Sequence, residues 1–323
     1  MGEYTEKYKL VDEIPFDFSR RRLSVIVTDG TKRQMITKGA VEEILELCTL
    51  VDYKGQVSPI TNQIKDNIKQ ISKKLNKDGL RVIAVCQKNN VRQDSTIFDV
   101  DDEKEMVLLG FIGFLDPPKE SAKSAIEKLN KAGIRVVVLT GDNEDVTRCI
   151  CERVNINSKN IVTGSELDKL SDSGVFRLLR HTNIFVKLSP IQKVRIVRLL
   201  KEAGNVVGYM GDGINDAPSL AVSNIGVSFN SGTDIAGNSS DVILMNNNLL
   251  KIVTLLKASK RTIKIIKQNL FWAFIYNVLM IPIAIGLLKP VGLIISPMIA
   301  SISMTISSLY VVLNSLRLKR SKK

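Results

Sequence analysis

The chain has 323 residues, a formal net charge of +13 and four cysteines. This length accommodates two modest domains, or one domain followed by membrane segments. The cysteines at 48, 86, 149 and 151 follow no zinc-binding spacing and are too sparse for a disulfide scaffold, which excludes both kinds of small stapled domain. The basic charge favours an anionic partner, either nucleic acid or a membrane surface.

Residues 1–100 mix strand-like runs with two helical patterns. The β-branched runs at 23–30, 33–39 and 81–88 predict strands, and the amphipathic runs at 40–48 and 63–79 predict helices. Strands interleaved with long helices indicate an α+β domain with a mostly antiparallel sheet. The acidic segment 99–105 is predicted to be a linker or turn.

Residues 107 to about 245 alternate apolar runs with amphipathic helices. The run 106–116 is predicted to be a buried strand, and further strands are expected within 134–142, 184–190, 205–212 and 225–230. This alternation predicts a parallel sheet covered on both faces. Ligands of such sheets bind beyond the carboxyl ends of the strands. Several polar or glycine residues directly follow strands and are therefore site candidates: Asp116, Thr140, Gly141, Asp142, Gly211 and Asp212.

The segment "MGDGINDAP" at 210–218 carries two carboxylates at the tip of a predicted strand. Gly211 and Gly213 permit a tight turn and the close backbone approach that a phosphate requires. Asp212 and Asp216 supply hard oxygen ligands of the kind that Mg²⁺ binds together with phosphate and water. Asn215 can donate a hydrogen bond to the same group.

Two further segments have a comparable placement. In "LTGDN", Thr140 and the amide of Gly141 can hold a phosphoryl oxygen while Asp142 orients them. Lys193, at the start of a helix that follows another strand, can neutralise phosphate charge. Taken alone, Lys193 also fits a solvated helix lysine.

Two long uncharged apolar stretches close the chain, at about 270–288 and 291–313. Each is long enough to cross a hydrocarbon core about 30 Å thick. Basic residues flank the pair on both outer sides, at 257–267 and 317–323, which favours a membrane over nucleic acid as the partner. The positive-inside rule then places both ends in the cytoplasm and the short connection at Lys289 and Pro290 on the other side.

The order of these motifs resembles the haloacid-dehalogenase superfamily of phosphoryl-transfer enzymes. With "FLDPPKESAKSAI" in front of them, the resemblance narrows to the P-type cation-transporting ATPases and covers nearly the whole chain. It implies a partial nucleotide-binding domain at 1–100, a Rossmann-like phosphorylation domain at 101–256, and a basic linker with two transmembrane helices at 257–323. ATP and Mg²⁺ are the implied cofactors.

The resemblance also implies roles for individual residues. The transferred phosphate and the nucleotide would meet a set of catalytic residues comprising Thr140, Gly141, Asp142, Lys193, Asp212 and Asp216. Mg²⁺ would bind Asp212, with Asn215 and Asp216 in support. The remaining nucleotide contacts would come from Phe16 on the adenine, Lys38 and Gly39 lining its pocket, Arg21, Arg81 and Lys187 on phosphates, and Asp116 at the hinge. An aromatic face suits a base and an arginine fork suits phosphate.

The aspartate that such pumps phosphorylate, in a "DKTGT" segment, is not found in this sequence. The nearest match, "TDGTK" at 28–32, lies within the nucleotide-domain pattern and lacks a lysine directly after Asp29. Covalent catalysis requires the nucleophile. We therefore expect a C-terminal pump portion that binds ATP and Mg²⁺ but does not phosphorylate itself, with the upstream pump segment as its partner.

The transported ion is indicated by two conflicting resemblances. The cytosolic segments resemble the magnesium-transporting class, whereas the segments from about 231 onward resemble the heavy-metal class. Candidate ion ligands are Tyr276, Asn277, Met304, Ser307 and Ser308. Because a thioether is a soft ligand, this set favours copper or another transition metal over magnesium. Packing between helices is the other interpretation of the same side chains.

Two other functions remain open at this point. The chain could be a non-catalytic nucleotide-binding membrane module or a truncated pump remnant. It could also be a soluble phosphatase of the same superfamily, although the missing nucleophile and the apolar hairpin count against that interpretation.

Overall fold

The structure is a computed structural model that describes residues 7–17, 19–89, 91–92, 95–285 and 297–319. It divides into two compact units, Met1–Asn248 and Leu249–Lys323. The first unit contains the α/β part of the chain and the second contains two long helices. Each unit is described separately below.

A seven-stranded sheet forms the N-terminal part of the first unit. Its spatial order is β1-β2-β3-β6-β7-β4-β5, and every neighbouring pair is antiparallel except β4 and β7. The strands are β1 (Lys9–Asp17), β2 (Arg22–Thr28), β3 (Arg33–Ala40), β4 (Cys48–Tyr53), β5 (Gln56–Pro59), β6 (Leu80–Asn89) and β7 (Met106–Leu115). Helices α1 (Val41–Leu47) and α2 (Asn62–Lys77) accompany them. The mostly antiparallel sheet with helices predicted within residues 1–100 is confirmed, and the same sheet also includes β7.

Alternating side chains build the core of this sheet. Ile26 of β2 and Met35 of β3 are fully buried, and Ile44 of α1 packs in the same cluster. Because successive strand residues point to opposite faces, every second position of β2 and β3 can be buried while its neighbours remain partly exposed.

Strand β7 differs from its prediction. Residues 106–116 were expected to form a buried strand of the parallel sheet, but β7 pairs with β6 and β4 of the N-terminal sheet. Met106 and Leu108 are buried, whereas the second half of the strand is exposed, including Ile112, Phe114 and Leu115. Among the described strands, this second half of β7 pairs with β6 alone, because β4 runs beside β7 only as far as Leu108.

The second part of this unit alternates short parallel strands with helices. The strands are β8 (Val138–Leu139), β9 (Ile161–Thr163), β10 (Ile184–Val186), β11 (Gly208–Met210), β12 (Ile225–Phe229) and β13 (Val242–Leu244). The helices are α3 (Ser121–Lys131), α4 (Glu144–Arg153), α5 (Gly164–Asp168), α6 (Asp172–Leu179), α7 (Pro190–Glu202), α8 (Ala217–Val222) and α9 (Asp234–Asn238). The division of the chain at residues 100 and 256 stays a prediction.

These strands form two sheets, whereas one continuous parallel sheet was predicted. The orders are β8-β10-β9 and β11-β12-β13, all parallel, so that β8 and β11 are edge strands of separate sheets. Helix α7 packs against both, because Ile196 belongs to the core of the first sheet and Val197 to that of the second. Leu139 of β8 packs against both cores. Side-chain packing therefore joins the two sheets where backbone pairing does not.

The second unit consists of α10 (Leu250–Ala284) and α11 (Pro297–Leu316). Amide side chains join the two helices: the Nδ2 of Asn314 donates to the Oδ1 of Asn269 at 2.8 Å, and the Nδ2 of Asn269 donates to the Oγ of Ser315 at 2.9 Å. The rings of Trp272 and Tyr310 pack edge to face, 5.5 Å apart. A polar and aromatic contact thus sets the register of this pair.

Two membrane-spanning helices were predicted at 270–288 and 291–313, and residues 286–296 of this segment lie outside the described residues. Within the described residues, no helix combines the length and the apolar character that a membrane crossing requires. Helix α10 begins far upstream of the apolar run and includes the lysine-rich segment, while α11 carries several hydroxyl side chains. The predicted connection at Lys289 and Pro290 lies outside the described residues.

Candidate functional site

The glycine-rich turn after β11 is built around Asp216. A Cβ atom added to Gly211 would lie 2.5 Å from the Cβ and 2.8 Å from the Oδ2 of Asp216, so that only glycine fits there. The backbone N–H of Asp216 donates to the carbonyl of Gly213 at 3.0 Å and closes the turn. Both predicted carboxylates are therefore in one turn, with Asp212 exposed and Asp216 partly buried.

Lys193 reaches this turn because of the way α7 begins. Ser189 and Gln192 cap the helix reciprocally and Pro190 occupies its first turn, which is a strong helix start. Lys193 then lies in the first turn, and its Nζ donates to the Oδ1 of Asp216 at 2.8 Å. The two side chains are 13% and 17% exposed, so this ion pair is shielded from much of the solvent.

Tyr209 was missed from the sequence. Its hydroxyl donates to the same Oδ1 of Asp216 at 2.7 Å, and its ring is buried. Burial, followed by the charge of Asp216, raises the pKa of Tyr209 above its usual value. Its place in an apolar run, two residues before Gly211, could have indicated it, because a buried phenol usually has a hydrogen-bond partner and the nearby carboxylates could serve as one.

Asp212 is held by its backbone, and its side chain remains exposed. Its carbonyl accepts from the N–H of Thr233 at 3.0 Å, the residue that caps α9. A Cβ on Gly232 would approach the same carbonyl at 3.0 Å, so this loop also depends on a glycine. The arrangement leaves the Asp212 carboxylate at the surface of the turn.

The "TGD" turn after β8 is ordered by its own side chains. The Oγ1 of Thr140 accepts from the N–H of Asp142 at 3.1 Å and donates to its Oδ2 at 3.0 Å. Lys187, in the left-handed region with φ of 53°, donates its N–H to the carbonyl of Asp142 at 2.8 Å. The loops after β8 and β10 are thus joined, as expected for a site at the carboxyl ends of parallel strands.

Arg81 of β6 forms an ion pair with this turn. Its Nη2 lies 2.8 Å from the Oδ1 and 2.9 Å from the Oδ2 of Asp142. Two residues predicted to contact the nucleotide are therefore in direct contact, one on β6 of the N-terminal sheet and the other in the turn after β8. An ATP phosphate that bound Arg81 would compete with Asp142 for the same guanidinium.

The predicted adenine pocket gathers at one end of β1, β2 and β3. Arg21 has a φ of 49°, and Gly39 permits this conformation because a Cβ there would lie 2.6 Å from the carbonyl of Arg21. Phe16, at the end of β1, is 51% exposed, and Lys38 is exposed on β3. Lys38 pairs in register with Leu23, and Gly39 with Arg22, which also pairs with Asp17 next to Phe16. The backbones of the four predicted contacts therefore lie near one another.

A buried carboxylate that the sequence did not reveal supports this end of the sheet. Glu103, 2% exposed, accepts from the Nε of Arg22 at 2.6 Å, from the Nη1 of Arg20 at 2.9 Å and from the Oγ of Ser24 at 2.6 Å. Its position in an acidic run predicted a solvated linker. The two ion pairs hold Arg20 and Arg22, the residues on either side of Arg21, against Glu103.

Asp29, the nearest match to the phosphorylated aspartate in the sequence, is a turn residue. It lies between β2 and β3, where its Oδ1 accepts from the N–H groups of Lys32 and Thr31, both at 2.9 Å. The hydrogen bond from the backbone of Lys32 is the largest cause that lowers the pKa of Asp29 to about 2.

The other predicted residues are not assembled into a cluster by the contacts of the described residues. Asp116 and Asn215 are exposed, and the side chain of Tyr276 lies outside the described part. The Nδ2 of Asn277 donates to the carbonyl of Ala273, and the Oγ of Ser308 donates to that of Met304, so both satisfy their own helix. Met304 is 64% exposed, and Ser307 is half-buried.

The donor set fits Mg²⁺ better than a softer or fully protein-bound metal. In the part of the chain that the structure describes, no three histidine, cysteine or acidic side chains converge on a metal position. Mg²⁺ requires less, since one or two carboxylates with phosphate and water suffice. Asp212 would supply the open carboxylate, while Asp216 already accepts two hydrogen bonds on its Oδ1.

A Gly211→Ala substitution tests the packing of this turn. The added methyl would overlap Asp216, so we expect the free energy of unfolding of this region to fall by about 1–3 kcal/mol. Hydrogen exchange of peptides that cover β11 and β12 would measure the loss. Gly208→Ala is the matched control, because a Cβ there first meets an atom at 3.9 Å. Equal protection in both variants would contradict the packing argument.

Comparison with known proteins identifies the relatives of the chain. Residues 1–121 match the family model described as P-type ATPase, cytoplasmic domain N. The chain is 42% identical over 245 residues to the magnesium-transporting ATPase, P-type 1, of Escherichia coli, which is 76% of this chain and 27% of that protein. It is 32% identical over 280 residues to the calcium-transporting ATPase 1 of Bacillus cereus, or 85% of this chain and 31% of that protein. The chain thus spans less than a third of these relatives.

These names bear on the choice of ion and of function. The relatives are named as transporters of magnesium, the class that the cytosolic segments resemble, and of calcium, which was not predicted. The preference for copper or another transition metal, which was drawn from the resemblance of the segments after about 231 and from the soft thioether of Met304, is not supported by these names. The comparisons do not favour the non-catalytic module or the remnant either.

Proposed function

We propose that this chain, a relative of the P-type ATPases, is the portion of a cation pump that binds ATP and Mg²⁺ and positions them for phosphoryl transfer. The observation that carries this proposal is that the Arg81–Asp142 pair lies at the carboxyl end of β8 and the Lys193–Asp216 pair at the carboxyl end of β11, in two sheets that both pack against α7. Cations and polar groups aimed at a phosphoryl group are what such a reaction requires.

The phosphate-handling roles follow from these contacts. Thr140, the amide of Gly141 and Lys187 border one turn, and Lys193 with Asp216 borders the other. When bound, Mg²⁺ supplies a positive charge that neutralises the phosphoryl oxygens. Asp212 would hold it, with Asn215 and Asp216 in support. The N-terminal sheet would bind the nucleotide through Phe16, Arg21, Lys38 and Gly39, with Asp116 at the hinge.

The phosphorylated aspartate is proposed to come from a pump segment outside this chain. The edge strands β8 and β11 support this, because each pairs with only one neighbour within the described residues while α7 packs against both sheets. An added parallel strand could pair with either edge. Its carboxyl end would carry the nucleophile to the two turns.

The transported ion is proposed to be a divalent cation, with magnesium favoured by the identity of 42% to a magnesium-transporting ATPase. Transport implies a membrane, and the family description places domain N on the cytoplasmic side. A lipid membrane, the cation and the remaining pump segments are therefore the proposed partners.

Incubation of the purified chain with radiolabelled ATP and Mg²⁺ tests whether this chain binds ATP while another segment supplies the phosphorylated aspartate. We expect saturable ATP binding and no acid-stable, hydroxylamine-labile label, because the acyl phosphate requires a nucleophile that this chain does not supply. Addition of the upstream pump segment should restore the label on that segment. An acyl phosphate on the isolated chain would contradict the proposal. Loss of ATP binding in an Arg21→Ala variant would place the nucleotide at the N-terminal sheet.

A further inference from the structure

The hydroxyl of Tyr209 occupies a position that the phosphoryl-transfer roles above do not use. The ring is 8% exposed and packs with Val197 and Leu220 in the core beneath the second sheet. Its hydroxyl reaches out of this core to the Oδ1 of Asp216 at 2.7 Å. Tyr209 therefore links an apolar core to the carboxylate of the glycine-rich turn.

Two donors meet on a single oxygen of Asp216. The Nζ of Lys193 lies 2.8 Å from the Oδ1 that Tyr209 also contacts. The other oxygen, Oδ2, faces the backbone of the turn, since it lies 2.8 Å from the Cβ position of Gly211 and 3.6 Å from that of Gly213. The carboxylate is thus held in one orientation, with one oxygen toward the interior and one toward the turn that carries Asp212.

The two donors differ in what they can enforce. Lys193 has a flexible stem and three equivalent N–H groups, so it can follow either oxygen of a rotating carboxylate. Tyr209 has two side-chain torsions, both restricted by packing of the ring, and one O–H. A tyrosine hydroxyl has an ordinary pKa of about 10, so the phenol is a donor throughout the physiological range.

We propose that Tyr209 is a positioning residue that fixes Asp216 with its Oδ2 toward the Gly211–Gly213 turn, and so prepares that turn to bind hydrated Mg²⁺. The inference rests on the proposed function, to which the Mg²⁺ site belongs. Tyr209 does not touch the metal or the phosphate; it acts through Asp216. Partners that orient a ligand in this way typically contribute 10–100-fold to metal affinity.

Binding of Mn²⁺, used as a spectroscopic probe for Mg²⁺, tests this role on the full chain without any need for turnover. Free Mn²⁺ is followed by electron paramagnetic resonance in wild type and in Tyr209→Phe, which keeps the ring and removes the hydroxyl. We expect the dissociation constant to rise about tenfold. Tyr53→Phe is the matched control, because Tyr53 is 69% exposed at the end of β4.

An Asp216→Asn background separates positioning from a purely structural role. If Tyr209 acts through Asp216, removing its hydroxyl has little effect once the carboxylate is gone. The losses of Mn²⁺ affinity caused by Tyr209→Phe and by Asp216→Asn should therefore not add. Melting temperatures of all variants, together with ATP affinity, report whether the fold and the nucleotide site are intact.

The outcomes distinguish this inference from the proposed function. Wild-type affinity in Tyr209→Phe, or an undiminished tenfold loss in the Asp216→Asn background, overturns the positioning role and leaves the Mg²⁺ site standing. If wild type binds no Mn²⁺ while ATP binding is normal, the proposed Mg²⁺ site fails, and the role of Tyr209 fails with it.

Discussion

On the proposed function, replacing Asp212 by Asn is expected to remove most of the Mg²⁺ affinity of the chain and to lower turnover of the assembled pump by at least about a hundredfold. Asp212 is the exposed carboxylate of the glycine-rich turn, and its backbone is already fixed by the N–H of Thr233. The substitution keeps the size of the side chain and removes its charge. Loss of function would therefore report the missing charge.

The measurement has two parts. Mn²⁺ binding is titrated on the chain alone, and phosphoenzyme formation is measured after the upstream segment is added. Asp234→Asn is the control, since Asp234 is an exposed carboxylate in the first turn of α9, in the segment that follows Thr233. Normal Mn²⁺ binding and normal labelling in Asp212→Asn would refute the assignment of Asp212 as the metal ligand.

Replacing Glu103 by Ala is expected to destabilise the N-terminal sheet by about 3–5 kcal/mol. The substitution removes the shared acceptor of Arg20, Arg22 and Ser24, and the two guanidinium groups are only 18% and 13% exposed. Charges left without a partner in such surroundings are costly, because the solvent reaches them poorly. Arg21 lies between the two arginines, so ATP affinity should fall as well.

Hydrogen exchange of peptides that cover β2 and β3 would measure this loss locally, without the assumption that the whole chain unfolds in one step. Glu46→Ala is the matched control, because Glu46 is an exposed carboxylate on α1. The protection of β2 and β3 in Glu103→Gln should lie between that of Glu103→Ala and that of Glu46→Ala, since an amide oxygen still accepts hydrogen bonds. Unchanged protection of β2 and β3 in Glu103→Ala would show that the ion pairs contribute little.

The local chemistry of the turns could be predicted from the sequence. "MGDGINDAP" and "LTGDN" each begin at the last residue of a strand, β11 and β8 respectively, so both turns follow strands as predicted. Short-range spacing determines this part, because a glycine turn after a strand has few conformations and a capped helix start places its first-turn residues predictably. The α+β character of residues 1–100 followed from periodicity in the same way.

Errors arose where long-range pairing decides. The sequence of β7 is uniformly apolar, and nothing in it tells which sheet the strand joins or that β4 stops beside Leu108. Apolar runs also predicted two membrane crossings, which the described helices do not provide. The candidate ion ligands, chosen by resemblance and by chemical type, stay a prediction; two of them, Asn277 and Ser308, donate to carbonyls of their own helices.

The sequence by itself determined which residues are candidates for binding phosphate and Mg²⁺, since side-chain chemistry and turn geometry are local properties of the chain. Only the tertiary structure decided how those residues are oriented: Tyr209 and Lys193 share one oxygen of Asp216, and Glu103 draws in Arg20 and Arg22 from more than 80 positions away. Such pairings depend on how separate strands and helices pack, and no spacing along the chain encodes the distance between two atoms that folding brings together.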